Sequence, residues 1–95
     1  MIESFADKNT ALIWNGEQAK KPRREIQEDA REVLRILSQI RSHNDFHRMP
    51  HLRAHKLGGN RKNRWSLRVG DGWCITFYWS EETSTASQVL LEDYH

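Results

Sequence analysis

The sequence predicts an α+β fold with a mainly antiparallel sheet, and three observations carry that prediction. Apolar residues recur at spacings of four and three between Ile26 and Ile40, and at a spacing of two from Leu52 onward. The elements follow in the order strand, helix, helix and then several strands. At 95 residues the chain is expected to be a single domain, 1–95, whose small core admits only a few elements. A hydrophobic share of 37% with four Trp places it among folded chains rather than disordered ones.

Met1 to Phe5 is predicted as a short strand. Asp7 is the N-cap of a first helix through Ala11, Leu12 and Trp14, stopped by Asn15-Gly16. Pro22 opens a second helix in its first turn, where Glu25, Glu28 and Asp29 suit the positive end of the helix dipole. Ile26, Ala30, Val33, Leu37 and Ile40 form its buried stripe, Arg31, Arg35 and Gln39 face solvent, and His43-Asn44-Asp45 ends it. Trp65, Leu67 and Val69 alternate with Arg64, Ser66 and Arg68; Trp73, Ile75, Phe77 and Trp79 alternate with Cys74, Thr76 and Tyr78. A two-residue Asp71-Gly72 turn would place Arg68 on the same face as Ile75. A three-residue loop, Gly70-Asp71-Gly72, pairs Val69 with Trp73 and keeps each apolar face whole, so the pattern selects it. Arg64, Ser66, Arg68, Cys74, Thr76 and Tyr78 then share the face turned away from the helices. Glu81 to Thr85 is a turn, and Ala86 to about Asp93 is the last strand.

Charge is unevenly placed. No Asp or Glu lies between Phe46 and Gly70, a window holding Arg48, Arg53, Lys56, Arg61, Lys62, Arg64, Arg68 and three His. After Trp79 the chain carries Glu81, Glu82, Glu92 and Asp93 and no Lys or Arg. A basic block favours a polyanionic partner, and a merely solvated basic surface is the other reading the charges allow. No segment has the length or apolarity of a membrane span, and Met1-Ile2-Glu3-Ser4-Phe5 lacks the pattern of a signal peptide. Cys74 stands alone, so neither an intrachain disulfide nor a cysteine metal cluster is expected, and a reducing, cytoplasmic setting fits.

His43, His47, His51 and His55 recur every four residues, which on one helix would stack four imidazoles. Pro50 interrupts such a helix and no carboxylate cluster accompanies them, so no metal and no cofactor is expected. No phosphate-cradling glycine loop or serine nucleophile elbow is present, and Cys74 reads as a small residue in a strand. Phosphodiester chemistry on RNA has other needs: a base for the 2′-hydroxyl, cations for the developing phosphorane and an acid for the leaving oxygen. The basic sheet face, His55 within it and the terminal Asp93-Tyr94-His95 supply such groups, and the residues alone lead no further than that.

The segment His55-Lys56-Leu57-Gly58-Gly59-Asn60-Arg61, with Trp65-Ser66-Leu67-Arg68-Val69 and Trp73-Cys74-Ile75-Thr76-Phe77, resembles the central block of HigB toxins of the RelE superfamily. Met1-Ile2-Glu3-Ser4-Phe5 and Glu92-Asp93-Tyr94-His95 are similar to the two ends of that family. The resemblance implies a compact RelE-like fold, two N-terminal helices on a curved, mainly antiparallel sheet. It also implies a ribosome-dependent endoribonuclease that cleaves messenger RNA in the aminoacyl site. By position, His55, Asp93, Tyr94 and His95 would be catalytic, and Arg53, Lys56, Arg61, Lys62, Arg64 and Arg68 would hold messenger and ribosomal RNA phosphates. The implied partners are a HigA-like helix-turn-helix antitoxin, the ribosome with its messenger, and operator DNA through the antitoxin only. Trp65 is expected to pack in the core rather than stack on a base.

Two departures from the family bear on activity. The family reads Trp-Arg-Ile where this chain has Trp73-Cys74-Ile75, and some relatives have Lys at the position of Gly58. A cysteine supplies neither the charge nor the forked donors of the arginine expected beside Arg68. The resemblance therefore leaves two outcomes: an enzyme that leans on Arg68 or Lys56, or a weakened relative that binds without cutting.

Overall fold

The computed structural model describes residues 1–93, so that Tyr94 and His95 lie outside the described residues. The first helix, α1 (Lys8–Trp14), begins where predicted: the extended Asp7 accepts the Thr10 N–H on its side chain at 2.8 Å. Gly16, at φ +81°, turns the chain out of it. Seven residues make too short a helix to stand alone. Ile13 anchors α1 in the core, and the fully buried Thr10 accepts the backbone N–H of Leu91 at 2.9 Å.

The second helix, α2, spans Arg24–Gln39 and buries the predicted Ile26, Ala30, Val33 and Leu37 together with Leu34, with Ile40 buried at its C-cap. Its start differs from expectation. Arg23 is the N-cap and Pro22, which follows a cis peptide bond, lies one residue before it. The buried Gln27 side chain braces this entry through both backbone polar groups of Ala19 and the carbonyl of Pro22. Arg31, expected in solvent, is half-buried and donates to the Ile13 carbonyl at 2.8 Å, a second bond to an acceptor that also takes the Gly16 N–H at 3.1 Å.

Chain from His43 to Leu52 departs most from the prediction. The second helix is already finished at Gln39, and His43–Arg48 and Pro50–Leu52 are 3-10 turns, the first opened by a capping box of Ser42 and Asp45. Arg53 then adopts a left-handed conformation, φ 48°, and the first strand, β1, is only His55–Lys56.

Strands β2 (Arg64–Gly70), β3 (Trp73–Ser80) and β4 (Thr85–Asp93) complete an antiparallel sheet in the order β1-β2-β3-β4. The predicted N-terminal strand reduces to two parallel bridges, Ile2 with Ala86 and Phe5 with Val89, along the outer side of β4. Arg68 pairs with Cys74 as the alternation demands, but the loop is not the three-residue one: Gly70 pairs with Trp73 across Asp71-Gly72. Both turn residues have positive φ, 51° and 82°, the geometry that Asp-Gly favours, and a bulge at Val69 absorbs the odd residue. Local turn chemistry and the two-faced pattern are satisfied together.

A second bulge, between Ser87 and Leu90, turns both Ala86 and Val89 inward, three residues apart, with Gln88 at φ 52°. Leu34, Leu37, Phe46, Leu52, Leu67, Ile75, Phe77 and Val89 join the helices to one sheet face. Burial of these side chains is the main driving force for the layer, at about 1.5–3 kcal/mol each before entropy is subtracted. No helix among the described residues is long and apolar enough to cross a membrane.

Candidate RNA-cleaving cleft

The face of the sheet away from the helices carries the predicted polar row. His55 pairs with Ser66, and Arg68 with Cys74, so all four side chains project to one side of β1, β2 and β3. With Arg53, Gly72 and Trp73 they line a cleft of about 260 Å³. The left-handed turn at Arg53 brings its carbonyl to the ring of His55, 2.8 Å from Nδ1. A carbonyl only accepts, so Nδ1 carries the proton in that bond and the lone pair of the neutral ring lies on Nε2. Exposed His55 shares the cleft with Arg53 and Arg68, which are also exposed.

Cys74 is buried at the bottom of this arrangement. Burial pushes its thiol above the ordinary value, against the opposing effect of a hydrogen bond with Ser66, so it is a neutral group with no charge to offer an anion. Its other neighbour across the sheet is Glu92.

Glu92 organises the next stretch of the same face. Arg61, carried there by the Gly59–Arg61 turn, grips its carboxylate with both terminal nitrogens. Thr76 donates to the same carboxylate, and Arg64 donates to Thr76 Oγ1 and to the Gln88 carbonyl, each at 2.8 Å. The Arg61 hydrogen bonds hold the Glu92 carboxyl below its usual range, and the same pair raises Arg61. Arg64 is only 8% exposed, its guanidinium 4.8 Å from the centre of the Tyr78 ring.

The predicted cations therefore separate. Arg53 and Arg68 stand at the cleft beside His55, and Lys62 is exposed next to the Arg61 turn. Arg61, half-buried, and Arg64, buried, are both engaged by protein partners. Lys56 points to the opposite face, where it pairs with Trp65 and sets its Nζ 5.7 Å from that ring. Trp65 packs against the core cluster, as its alternation implied, with Phe46 at 5.5 Å and His43 at 5.8 Å between ring centres. Asp93 is exposed at the end of β4, paired with the cleft residue Trp73. The expected catalytic positions Tyr94 and His95 lie outside the described residues. Gly58 is exposed, with open space where a side chain would project.

Sequence reasoning missed Glu92 and Thr76 as organisers. The signal was present in the alternation Val89, Leu91 against Leu90, Glu92, which puts one acid on an otherwise basic face. Among the described residues no group of three or more His, Cys, Asp or Glu is placed to hold a metal ion.

Comparison with known proteins bears on all of this. The family model described as the RelE-like toxin of the type II toxin–antitoxin system HigB matches residues 3–95. No curated protein matches the chain significantly.

Proposed function

Because this chain belongs to the HigB family of RelE-like toxins of type II toxin–antitoxin systems, we propose that it is an endoribonuclease cutting messenger RNA in the aminoacyl site of the ribosome. The observation that carries this reading is the cleft, where an imidazole oriented by the Arg53 carbonyl shares the lining with two arginines. Nε2 of His55 is available to take or return a proton, and Arg53 and Arg68 are placed to stabilise charge on a phosphorane. Asp93 leads toward the cleft wall at Trp73, and with Tyr94 and His95 it completes the proposed acid–base set. His55 and His95 share the proton transfers, Asp93 orients or accepts a proton, and Tyr94 stacks or donates.

Lys62 joins Arg53 and Arg68 as an exposed cation for RNA phosphates, and Lys56 meets the strand on the other side of β1. Arg61 and Arg64 serve through their grip on Glu92, Thr76 and Gln88. A type II toxin has an antitoxin partner; here we propose a HigA-like helix-turn-helix protein that carries the complex to operator DNA, in the cytoplasm where ribosomes are.

Growth arrest on induction in a bacterial host, with His55→Ala and His95→Ala beside the parent, tests the reading in cells. Radiolabelled messenger on programmed ribosomes tests it directly, and messenger left intact by the well-folded parent would refute cleavage.

One observation favours a second reading. Cys74 stands across from Arg68 where the family has an arginine, and its buried thiol is neutral. Such a chain occupies the ribosomal site, or represses with its antitoxin, without cutting. If Cys74→Arg creates cleavage where the parent has none, the second reading holds for the parent.

A further inference from the structure

Among the described residues the regularly spaced histidines form no group placed to hold a metal ion, yet three of the four border one hollow. On the other side of β1 from the cleft lies a second cavity of about 420 Å³, within the range of small-ligand sites. His43, His47 and His55 line it together with Arg53, Lys56 and Trp65. His51 instead faces a separate hollow beside Asp29 and Glu32. Pro50 and the two 3-10 turns bring this about, because they fold a helical spacing around the short strand β1.

Among the described residues no carboxylate lines the cavity. Glu81 reaches it only through His43, accepting that residue's backbone N–H at 2.7 Å and lying 2.9 Å from its Nδ1. Trp65 is held in place by Phe46 and His43, so a planar ligand that meets it orders little that is not already ordered. The Lys56 ammonium stands over the same ring. A fixed aromatic beside cations, in a hollow with no acid among the described residues, matches a group that is flat at one end and anionic at the other.

We propose that this cavity binds one nucleotide of single-stranded RNA, with the base against Trp65 and the phosphate on Lys56 and Arg53, assisted by His47. Arg53 and His55 line both cavities, so a strand whose phosphate sits in the cleft places the adjoining nucleotide here. That continuity rests on the RNA-cutting reading; the binding itself does not.

Fluorescence anisotropy of a labelled RNA trinucleotide with the full chain, without ribosomes, tests the site separately from cleavage. Lys56→Met is expected to weaken binding about tenfold. It also lowers the slope of log affinity against log salt by about 0.7, the signature of one lost phosphate contact on a single strand. Trp65→Phe keeps a stacking ring and is expected to lose only a few-fold; full loss of a stacked ring costs about 5- to 100-fold. Since a smaller residue at Trp65 also loosens Phe46, the exposed His47→Ala is the second probe, with Arg24→Met as a control away from the cavity. Parent-like affinity and salt slope in both Lys56→Met and His47→Ala would overturn the site, even if the protein cuts messenger. So would tighter binding of a poly-glutamate peptide than of the trinucleotide at equal salt. Loss of binding in these variants supports the site even if no cleavage is found.

Discussion

Replacing Cys74 by arginine is the perturbation whose consequences the structure defines most fully. Cys74 and Arg68 are direct cross-strand partners on the cleft face, so the new guanidinium stands about 6 Å from the existing one. Two like charges at that distance repel by about 0.7 kcal/mol in water and about 3 kcal/mol at the screening typical of a protein surface. Glu92, the other partner of Cys74, offsets part of this, although Arg61 already holds it. The free variant is therefore expected to lose about 1–2 kcal/mol, which for a domain of this size lowers Tm by roughly 5–15 °C. An anion in the cleft reverses the sign, because both guanidiniums then face it. One added donor to a developing oxyanion is worth about 10²–10³ in rate, so single-turnover cleavage of messenger on programmed ribosomes should rise by that factor over the parent. A variant that folds with the expected small loss and cleaves no faster would refute the placement of the scissile phosphate between Arg68 and Cys74. Glu92→Gln in the same background guards against capture of the new arginine by that carboxylate.

Three further outcomes follow from particular contacts. His55→Ala, which removes the imidazole bonded to the Arg53 carbonyl, should lower cleavage by about 10²–10⁴; an unchanged rate would remove His55 from proton transfer. Gln27→Leu strands the N–H and carbonyl of Ala19 and the carbonyl of Pro22, and is expected to cost about 3 kcal/mol of stability in urea unfolding; a loss under about 1 kcal/mol would show that the loop finds other partners. Glu81 is held at about 2, chiefly by the His43 backbone N–H and then by the Trp79 indole. That value lies below the ordinary carboxyl one, so its stabilisation is complete above about pH 4.5 and is lost as pH falls toward 2. Thermal midpoints of the parent and Glu81→Gln should accordingly converge over that interval, and a constant difference would be evidence of a charge-independent effect.

The faces of the sheet were legible in the sequence because strand alternation has a period of two and a wrong register moves every side chain to the wrong side. The same rule made Arg68 and Cys74 partners before any coordinates. It misjudged the loop because it treated turn length and register as one choice, whereas the bulge at Val69 lets Asp71-Gly72 take its preferred turn while the faces stay aligned. The second helix was legible from its stripe, but its first residue was not: Pro22 suits a first turn, and only the tertiary bracing by Gln27 shows it outside the helix.

The sequence placed Ser66, Arg68, Cys74 and Thr76 on one face of the sheet but did not say which cations the fold would engage, for a physical reason. Sequence counts cations, but an arginine is available to a ligand only if the fold leaves it unengaged. The neighbouring strand decides that: with Glu92 on the polar face, Arg61 closes on it, while Thr76 and the Gln88 carbonyl hold Arg64. The β4 bulge that exposes the Gln88 carbonyl to Arg64 is set by two inward residues, Ala86 and Val89, far along the sequence from Arg64. Among the described residues, Arg53, Arg68 and His55 are the basic groups that line the cleft, fewer than the composition suggested. This shorter set is why the loss of one more arginine at Cys74 weighs so heavily. In a site with six free cations a single substitution would be diluted by its neighbours; in a site with two, it approaches the whole of the charge-stabilising capacity that distinguishes a nuclease from a binder.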